Sequence, residues 1–170
     1  MSYENANIET IARGVCIRDG YILLCQPAKG GRAYLPGGHI EFGETARTAL
    51  VREIQEEMGQ TATAGNFIAA TENNFLQNGE PHCEINLLFA LDIPGISPAS
   101  HPSAVESWIT FKWVPLTKEA LTAANLLPAH LIDDLTTRDL SIPFHCAPDG
   151  DLISGLVRRE EEEVRREMEE

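Results

Sequence analysis

The sequence predicts an α/β fold in which a mixed β-sheet carries helices on both faces. One observation is an uninterrupted run of good helix formers from Thr45 to Met58, with a glycine directly after it. A second is a series of short apolar segments, separated by Gly, Asn and Pro turn signals, on both sides of this helix. A third is size, since 170 residues with 43% hydrophobic and 23% charged content can form one substantial core.

The segments before the helix predict a β-hairpin. Ile8–Arg18 alternates weakly between apolar and polar residues, and Asp19-Gly20 is a hairpin turn signal, so Tyr21–Cys25 is the expected partner strand. The chain is then expected to form a loop over Pro27–Arg32, a short strand over Ala33–Leu35 and a turn at Gly37-Gly38.

The segments after the helix predict strands first and helices later. The expected strands are Asn66–Phe75, Cys83–Ile93 and Glu106–Val114, with a turn at Asn78-Gly79 and an irregular loop over Pro94–Ser103. Two further helices are expected, Lys118–Asn125 after a cap at Thr117, and a last one from Pro128 to about Thr136.

The central helix concentrates carboxylates on one side. At about 100° per residue, Glu53, Glu56 and Glu57 fall within one arc of about 100°, next to an apolar arc that must face the core. Unpaired acids this close repel one another, and a bound cation relieves the repulsion. Because Mg²⁺ and Mn²⁺ prefer carboxylate and carbonyl oxygens, the pattern indicates a metal site.

An ordinary solvated Glu/Arg helix face, stabilised by i,i+4 pairs, is the alternative interpretation of the same acids. It explains neither the Gly37-Gly38 pair nor the spacing that runs from Gly38 through Glu44 to Arg52.

That spacing resembles the Nudix box over residues 38–60, GHIEFGETARTALVREIQEEMGQ. Eight defined positions match, namely Gly38, Glu44, Arg52, Glu53, Ile54, Glu56, Glu57 and Gly59. Gln60 departs from the pattern, because an aliphatic residue is usual there, and we expect this to affect local packing rather than chemistry. The resemblance extends less specifically over residues 8–140 and implies a Nudix-type α/β/α sandwich.

The resemblance also implies roles for individual residues. Glu53, Glu56 and Glu57 are implied to be catalytic, and together with the backbone carbonyl of Gly38 they would hold Mg²⁺, with Mn²⁺ as the alternative. Glu53 is either a further metal ligand or the general base. Glu44 and Arg52 are implied to be structural residues that orient the loop against the helix; a phosphate contact is the alternative for Arg52.

Residues outside the box complete the set of candidates. Some Nudix enzymes recruit a further acid or base from a later segment, for which Glu84 and Glu106 are candidates, with His39 and His82 behind them. The candidate substrate contacts are Arg32, Tyr34 and Phe75, with Lys29 and Phe42 as further candidates; packing in the core or a loop is the alternative for the aromatic residues.

Composition limits the partners and the compartment. A net charge of −13 argues against broad binding to nucleic acid or an anionic membrane, and no apolar run is long enough to span a bilayer. The four cysteines Cys16, Cys25, Cys83 and Cys146 contain no C-x-x-C pair, which favours reduced cysteines of a cytoplasmic protein over a zinc site. We expect a small-molecule nucleotide as partner, and a homodimer as a further hypothesis.

The chain is expected to divide into three parts. A Nudix hydrolase domain is predicted over 1–140, an irregular C-terminal extension over 141–157, and a charged tail, either a solvated helix or disordered, over 158–170.

Three functions fit these observations. The first is a metal-dependent pyrophosphohydrolase that cleaves the diphosphate of a nucleoside diphosphate linked to another moiety, by attack of water on phosphorus. NTPs, nucleotide sugars and ADP-ribose belong to this class of substrate. The second is a catalytically inactive Nudix-fold module that binds nucleotides or regulates, against which the retention of Arg52 and all three box acids argues. The third is an isomerase or another chemistry on the same fold.

Overall fold

The computed structural model describes residues 7–77, 80–137 and 144–145. The strands are β1 Asn7–Val15, β2 Ile17–Arg18, β3 Tyr21–Pro27, β4 Gly37–His39, β5 Thr63–Gln77, β6 Glu80–Asp92, β7 Ile109–Pro115 and β8 Phe144–His145. The helices are α1 Ala46–Met58, α2 Lys118–Ala123 and α3 Leu131–Thr137. No helix among these residues is long and apolar enough to cross a membrane.

The strands form one mixed and one antiparallel sheet. The larger sheet has the order β4-β1-β6-β5-β8, in which β1 pairs with β6, and β5 with β8, in parallel, while the remaining pairs are antiparallel. The smaller sheet has the order β2-β3-β7 and is antiparallel. The predicted mixed sheet is therefore confirmed.

Helices cover the strands on two sides, each with its own hydrophobic core. The core under α1 contains Ala49, Leu50, Ile54 and Met58 of the helix and Leu23, Phe89 and Phe111 of the strands. The core under α2 and α3 contains Leu121, Leu131 and Leu135 of the helices and Ile22, Leu24 and Leu88 of the strands. Since neighbouring residues of β3 enter different cores, the strands form the middle layer, as in the predicted α/β/α sandwich.

The central helix begins and ends where the sequence predicts. Thr45 is its N-cap, and the hydroxyl oxygen of Thr45 accepts a hydrogen bond from the backbone N–H of Thr48 at 3.2 Å. Gly59 ends the helix in the left-handed conformation, with φ of 66°.

The prediction of a turn at Gly37-Gly38 is wrong, because both residues belong to β4, which pairs with Ala12 and Arg13 of β1. Gly37 has φ of 125°, and a Cβ atom on it would lie 2.1 Å from the carbonyl oxygen of Ala12. The glycine is required for this close strand pairing rather than for a reversal of the chain.

The predicted hairpin is wrong except at its tip: only β2 pairs with β3, while β1 pairs with β4 and β6 of the larger sheet. Other boundaries shift by a few residues. Ala33 and Tyr34 form only isolated bridges, to Leu126 and Cys25 respectively, instead of a strand. The strand predicted from Glu106 is β7, which starts at Ile109. The helix predicted from Pro128 is α3, which starts at Leu131.

Some sequence predictions lie outside the described residues. These are the turn at Asn78-Gly79, Cys146, the tail at 158–170 and most of the extension at 141–157, of which only β8 is described.

Candidate functional site

Three acids of the box, Glu53, Glu56 and Glu57, line a cleft between α1 and β4. Its volume is about 270 Å³, and its walls include Gly38, Glu53, Glu56, Glu57, Glu84 and Glu106. The backbone N–H of Val105 donates to the carbonyl of Glu57 at 2.7 Å, which holds the loop carrying Glu106 against the end of the helix. The structure thus brings together both candidate extra acids and the three box acids in one place, which we call the acid cleft.

Glu57 is the most buried acid of the cleft, with 7% of its surface exposed. Its Oε2 atom is buried and has no hydrogen-bond partner among the residues that the structure describes. Burial, and then the negative charge of Glu53, raise the pKa of the Glu57 carboxyl to about 7. A buried carboxylate oxygen without a partner is costly, and a cation would remove that cost.

Gly38 allows the close approach of Glu53. A Cβ atom at position 38 would lie 2.4 Å from the carboxyl carbon of Glu53 and 2.6 Å from each of its oxygens. Any side chain at this position would therefore displace the carboxylate, so glycine keeps β4 in direct contact with the acid face of α1.

Arg52 connects the box acids to the loop before the helix. Its guanidinium donates two hydrogen bonds to Glu44, at 2.8 and 3.2 Å, and one to the carbonyl of His39 at 3.0 Å. Glu44 also accepts from the backbone N–H of Glu41 at 2.8 Å, and the bond from Arg52 holds the pKa of Glu44 below its usual range. A bidentate pair of this kind fixes the loop relative to the helix.

The same guanidinium also donates to two of the three acids of the helix, Glu53 and Glu56. Its Nη1 atom lies 3.0 Å from Oε1 of Glu53 and 3.0 Å from Oε2 of Glu56. Glu56 is 56% exposed and can turn away from the arginine at little cost. As the side chains stand, no group of three His, Cys, Asp or Glu residues within the described ranges converges on one metal position. The residues fit a hard cation by their oxygen donors and by the unpaired atom of Glu57, provided that Glu56 changes rotamer.

A larger cavity, of about 400 Å³, adjoins the acid cleft. The candidate substrate contacts Arg32, Tyr34 and Phe75 all line it. Arg13, Tyr34 and Glu84 line both spaces, so Glu84 stands at their boundary.

Of the four remaining candidates, Phe42, Lys29 and His82 line neither space, whereas His39 lines the acid cleft. Phe42 is fully exposed and packs in neither the core nor a loop, and Lys29 lines neither space. His39 lies 3.4 Å, and His82 3.8 Å, from carboxylate oxygens of Glu9, and of these two only His39 lines the acid cleft.

Four polar or aromatic residues that line the two spaces were not predicted from the sequence. These are Arg13, Asn73, Asn86 and Trp108. Arg13 donates to the carbonyl oxygens of Gly37 at 2.7 Å and Leu35 at 3.2 Å, and its guanidinium lies 5.1 Å from the centre of the Tyr34 ring. A signal existed for Asn86, because an amide inside the apolar segment 83–91 has to find a partner in the sheet.

The sequence matches a known protein family and several individual proteins. A NUDIX domain model matches residues 9–135. The chain is 46% identical over 67 residues to a CTP pyrophosphohydrolase of Escherichia coli, a match that covers 37% of this chain and 49% of that protein. It is 36% identical over 87 residues to an ADP-ribose pyrophosphatase of Methanocaldococcus jannaschii, covering 48% of this chain and 49% of that protein. These matches span about half the length of each of these two relatives.

A solved structure extends the likeness to the fold. The solution structure of the E. coli ORF135 protein superposes with a TM-score of 0.52 at 28% sequence identity, covering 76% of this chain and 87% of that one.

Proposed function

The chain belongs to the Nudix hydrolase family, and from this premise we propose that it is a metal-dependent pyrophosphohydrolase acting on a nucleoside diphosphate linked to another moiety. The observation that carries the proposal is the buried, unpaired Oε2 atom of Glu57 beside Glu53 and Gly38. A bound cation would satisfy this oxygen, which has no hydrogen-bond partner in the described part of the chain.

Glu53, Glu56, Glu57 and the carbonyl of Gly38 would hold Mg²⁺ or Mn²⁺ in the acid cleft. When bound, the cation neutralises phosphate oxygens and lowers the pKa of the attacking water. The reaction forms a bond from the water oxygen to phosphorus and breaks the bond from that phosphorus to the bridging oxygen. A carboxylate takes the proton of the water, and Glu53, Glu84 and Glu106 are the candidates because all three line the cleft.

The remaining residues of the site would position the acids and bind the groups attached to the diphosphate. Arg52 and Glu44 hold the loop of residues 39–44 against the helix, so that β4 stays in contact with the acid face of α1. The larger cavity would receive one of the groups attached to the diphosphate, with Arg32, Tyr34 and Phe75 as its contacts.

The partner and compartment follow from the same features. We propose a small-molecule nucleotide substrate and no broad nucleic-acid binding, since a net charge of −13 repels polyanions. The free thiols of Cys16, Cys25 and Cys83 support a cytoplasmic location. A homodimer is a separate proposal, which light scattering tests.

The test is a substrate panel of NTPs, nucleotide sugars and ADP-ribose, assayed with Mg²⁺, with Mn²⁺ and with EDTA. Release of phosphate, pyrophosphate or nucleoside monophosphate in the presence of metal and its absence in EDTA is the expected result. Binding of nucleotides without turnover under any of these conditions would identify an inactive binding module instead.

A further inference from the structure

The cavity beside the acid cleft contains a chain of oriented hydrogen bonds. Arg13 Nε donates to Asn86 Oδ1 at 3.2 Å, and Asn86 Nδ2 donates to Glu84 Oε2 at 3.3 Å. Asn73 Nδ2 donates to the same oxygen of Glu84 at 3.2 Å. A guanidinium only donates and an ionised carboxylate only accepts, so these contacts fix which way each amide points.

This series of hydrogen bonds ends at two oxygen atoms that can accept further hydrogen bonds. Oε1 of Glu84 and Oδ1 of Asn73 accept no hydrogen bond from any residue in the described part of the chain. Both residues line the cavity. Asn86, which is 2% exposed, fixes the position of the Glu84 carboxylate through its hydrogen bond. Glu84 is therefore an acceptor that calls for a donor on the ligand, whereas the other two charged residues of the lining, Arg13 and Arg32, are donors.

The other walls are apolar and partly aromatic. Leu35 and Leu88 belong to the buried core, and the rings of Tyr34 and Phe75 also line the cavity. Phe75 stacks on His82, with ring centres 5.3 Å apart and an interplanar angle of 10°, which fixes the plane of the phenyl ring. Aromatic walls with one polar side suit a flat heterocycle whose edge carries hydrogen-bond donors.

We infer that this cavity binds the amino-bearing edge of a nucleobase, with Glu84 and Asn73 accepting hydrogen bonds from the exocyclic amine. The inference rests on the proposed function, because it assumes that the diphosphate lies in the acid cleft next door. It gives Glu84 a role in specificity, in addition to the candidate role as acid or base.

The cavity would then distinguish strongly between nucleobases that carry an amino group and those that carry a carbonyl group at the same ring position. Cytosine and adenine present an amine where uracil and hypoxanthine present an oxygen. A carbonyl oxygen facing the carboxylate of Glu84 finds no donor on that group and is repelled by its charge, so the oxo base binds at least about tenfold more weakly.

The experiment measures the dissociation constants of two matched pairs, CDP against UDP and ADP against IDP, by isothermal titration calorimetry with Mg²⁺. Members of each pair differ chiefly in this amino or oxo group. The variant is Glu84→Gln, whose amide supplies an N–H donor for the oxo base. The control is Glu72→Gln, the same change on neighbouring β5 at a residue that lines neither space.

In the wild-type protein, the amino member of at least one pair is expected to bind at least about tenfold more tightly than its oxo partner. Glu84→Gln should bring that ratio close to one, and Glu72→Gln should leave it unchanged. Equal affinities within both pairs, no binding of any of the four, or an unchanged ratio in Glu84→Gln overturns the inference. Failure of the proposed function is a different result, namely no metal-dependent hydrolysis anywhere in the panel, whatever the binding ratios.

Discussion

Replacing Glu57 by Gln is expected to stabilise the metal-free protein at alkaline pH. The carboxyl titrates near its ordinary value of 4.5 in the unfolded chain, whereas burial raises its pKa to about 7 in the folded protein. At 1.36 kcal/mol per pKa unit, an ionised Glu57 lowers the free energy of unfolding by about 3 kcal/mol. Gln has nearly the same shape and no charge, so most of this cost should disappear.

The pH dependence gives the sign of the effect. Below pH 4.5 both states are protonated and Glu57 costs nothing; the cost grows as the pH rises and is complete above about 7. At pH 5.5, one unit above the unfolded value, the cost is only about 1 kcal/mol. The advantage of the Gln variant should therefore shrink by about 2 kcal/mol between pH 8.5 and pH 5.5.

Urea denaturation in EDTA at these two pH values measures the difference. Glu56→Gln is the matched control, because this side chain is 56% exposed and forms an ion pair with Arg52, so its loss should bring no stabilisation. If Glu57→Gln were less stable than wild type at pH 8.5, or if its advantage did not shrink at pH 5.5, the assignment of Glu57 as a desolvated carboxylate would be wrong.

Three further changes test the remaining parts of the site. Arg52→Lys removes the bidentate contact to Glu44 and should lower the free energy of unfolding measured by urea denaturation, whereas an unchanged value would show that this contact does not stabilise the fold. Gly38→Ala places a Cβ against the carboxylate of Glu53 and should weaken Mg²⁺ binding, measured by calorimetry, at least about tenfold. Deleting residues 158–170 should leave kcat and KM unchanged, and a large rise in KM would locate this tail at the active site.

The helix and its acids could be predicted from the sequence because their determinants are local. The run of helix formers up to Met58, the Gly59 end and the position of the three carboxylates on one arc follow from helix propensity, capping chemistry and the helical period. The same pattern does not predict how exposed each acid is: Glu57 lies inside the protein, while Glu56 is more than half exposed. The difference depends on β4 and the loop at 105–106, which are distant in the sequence.

The second space could not be predicted because it is assembled across the sheet. Arg13, Asn86 and Glu84 come from β1 and β6, which are parallel neighbours although more than 70 residues separate Arg13 from Asn86. No local pattern specifies that register. Gly37 shows the same limit, since the sequence reveals the glycine but not the carbonyl of Ala12 that makes it necessary.

The central claim is that the acid cleft binds a divalent cation and hydrolyses a diphosphate. The most direct measurement is the initial rate on the best substrate of the panel with Mg²⁺, for the wild type and for Glu57→Gln, with circular dichroism to check that both are folded. We predict metal-dependent turnover by the wild type and a rate at least about 100-fold lower for the variant, since a catalytic metal contributes several kcal/mol. Equal rates in the two proteins, or equal wild-type rates in Mg²⁺ and EDTA, would contradict the claim.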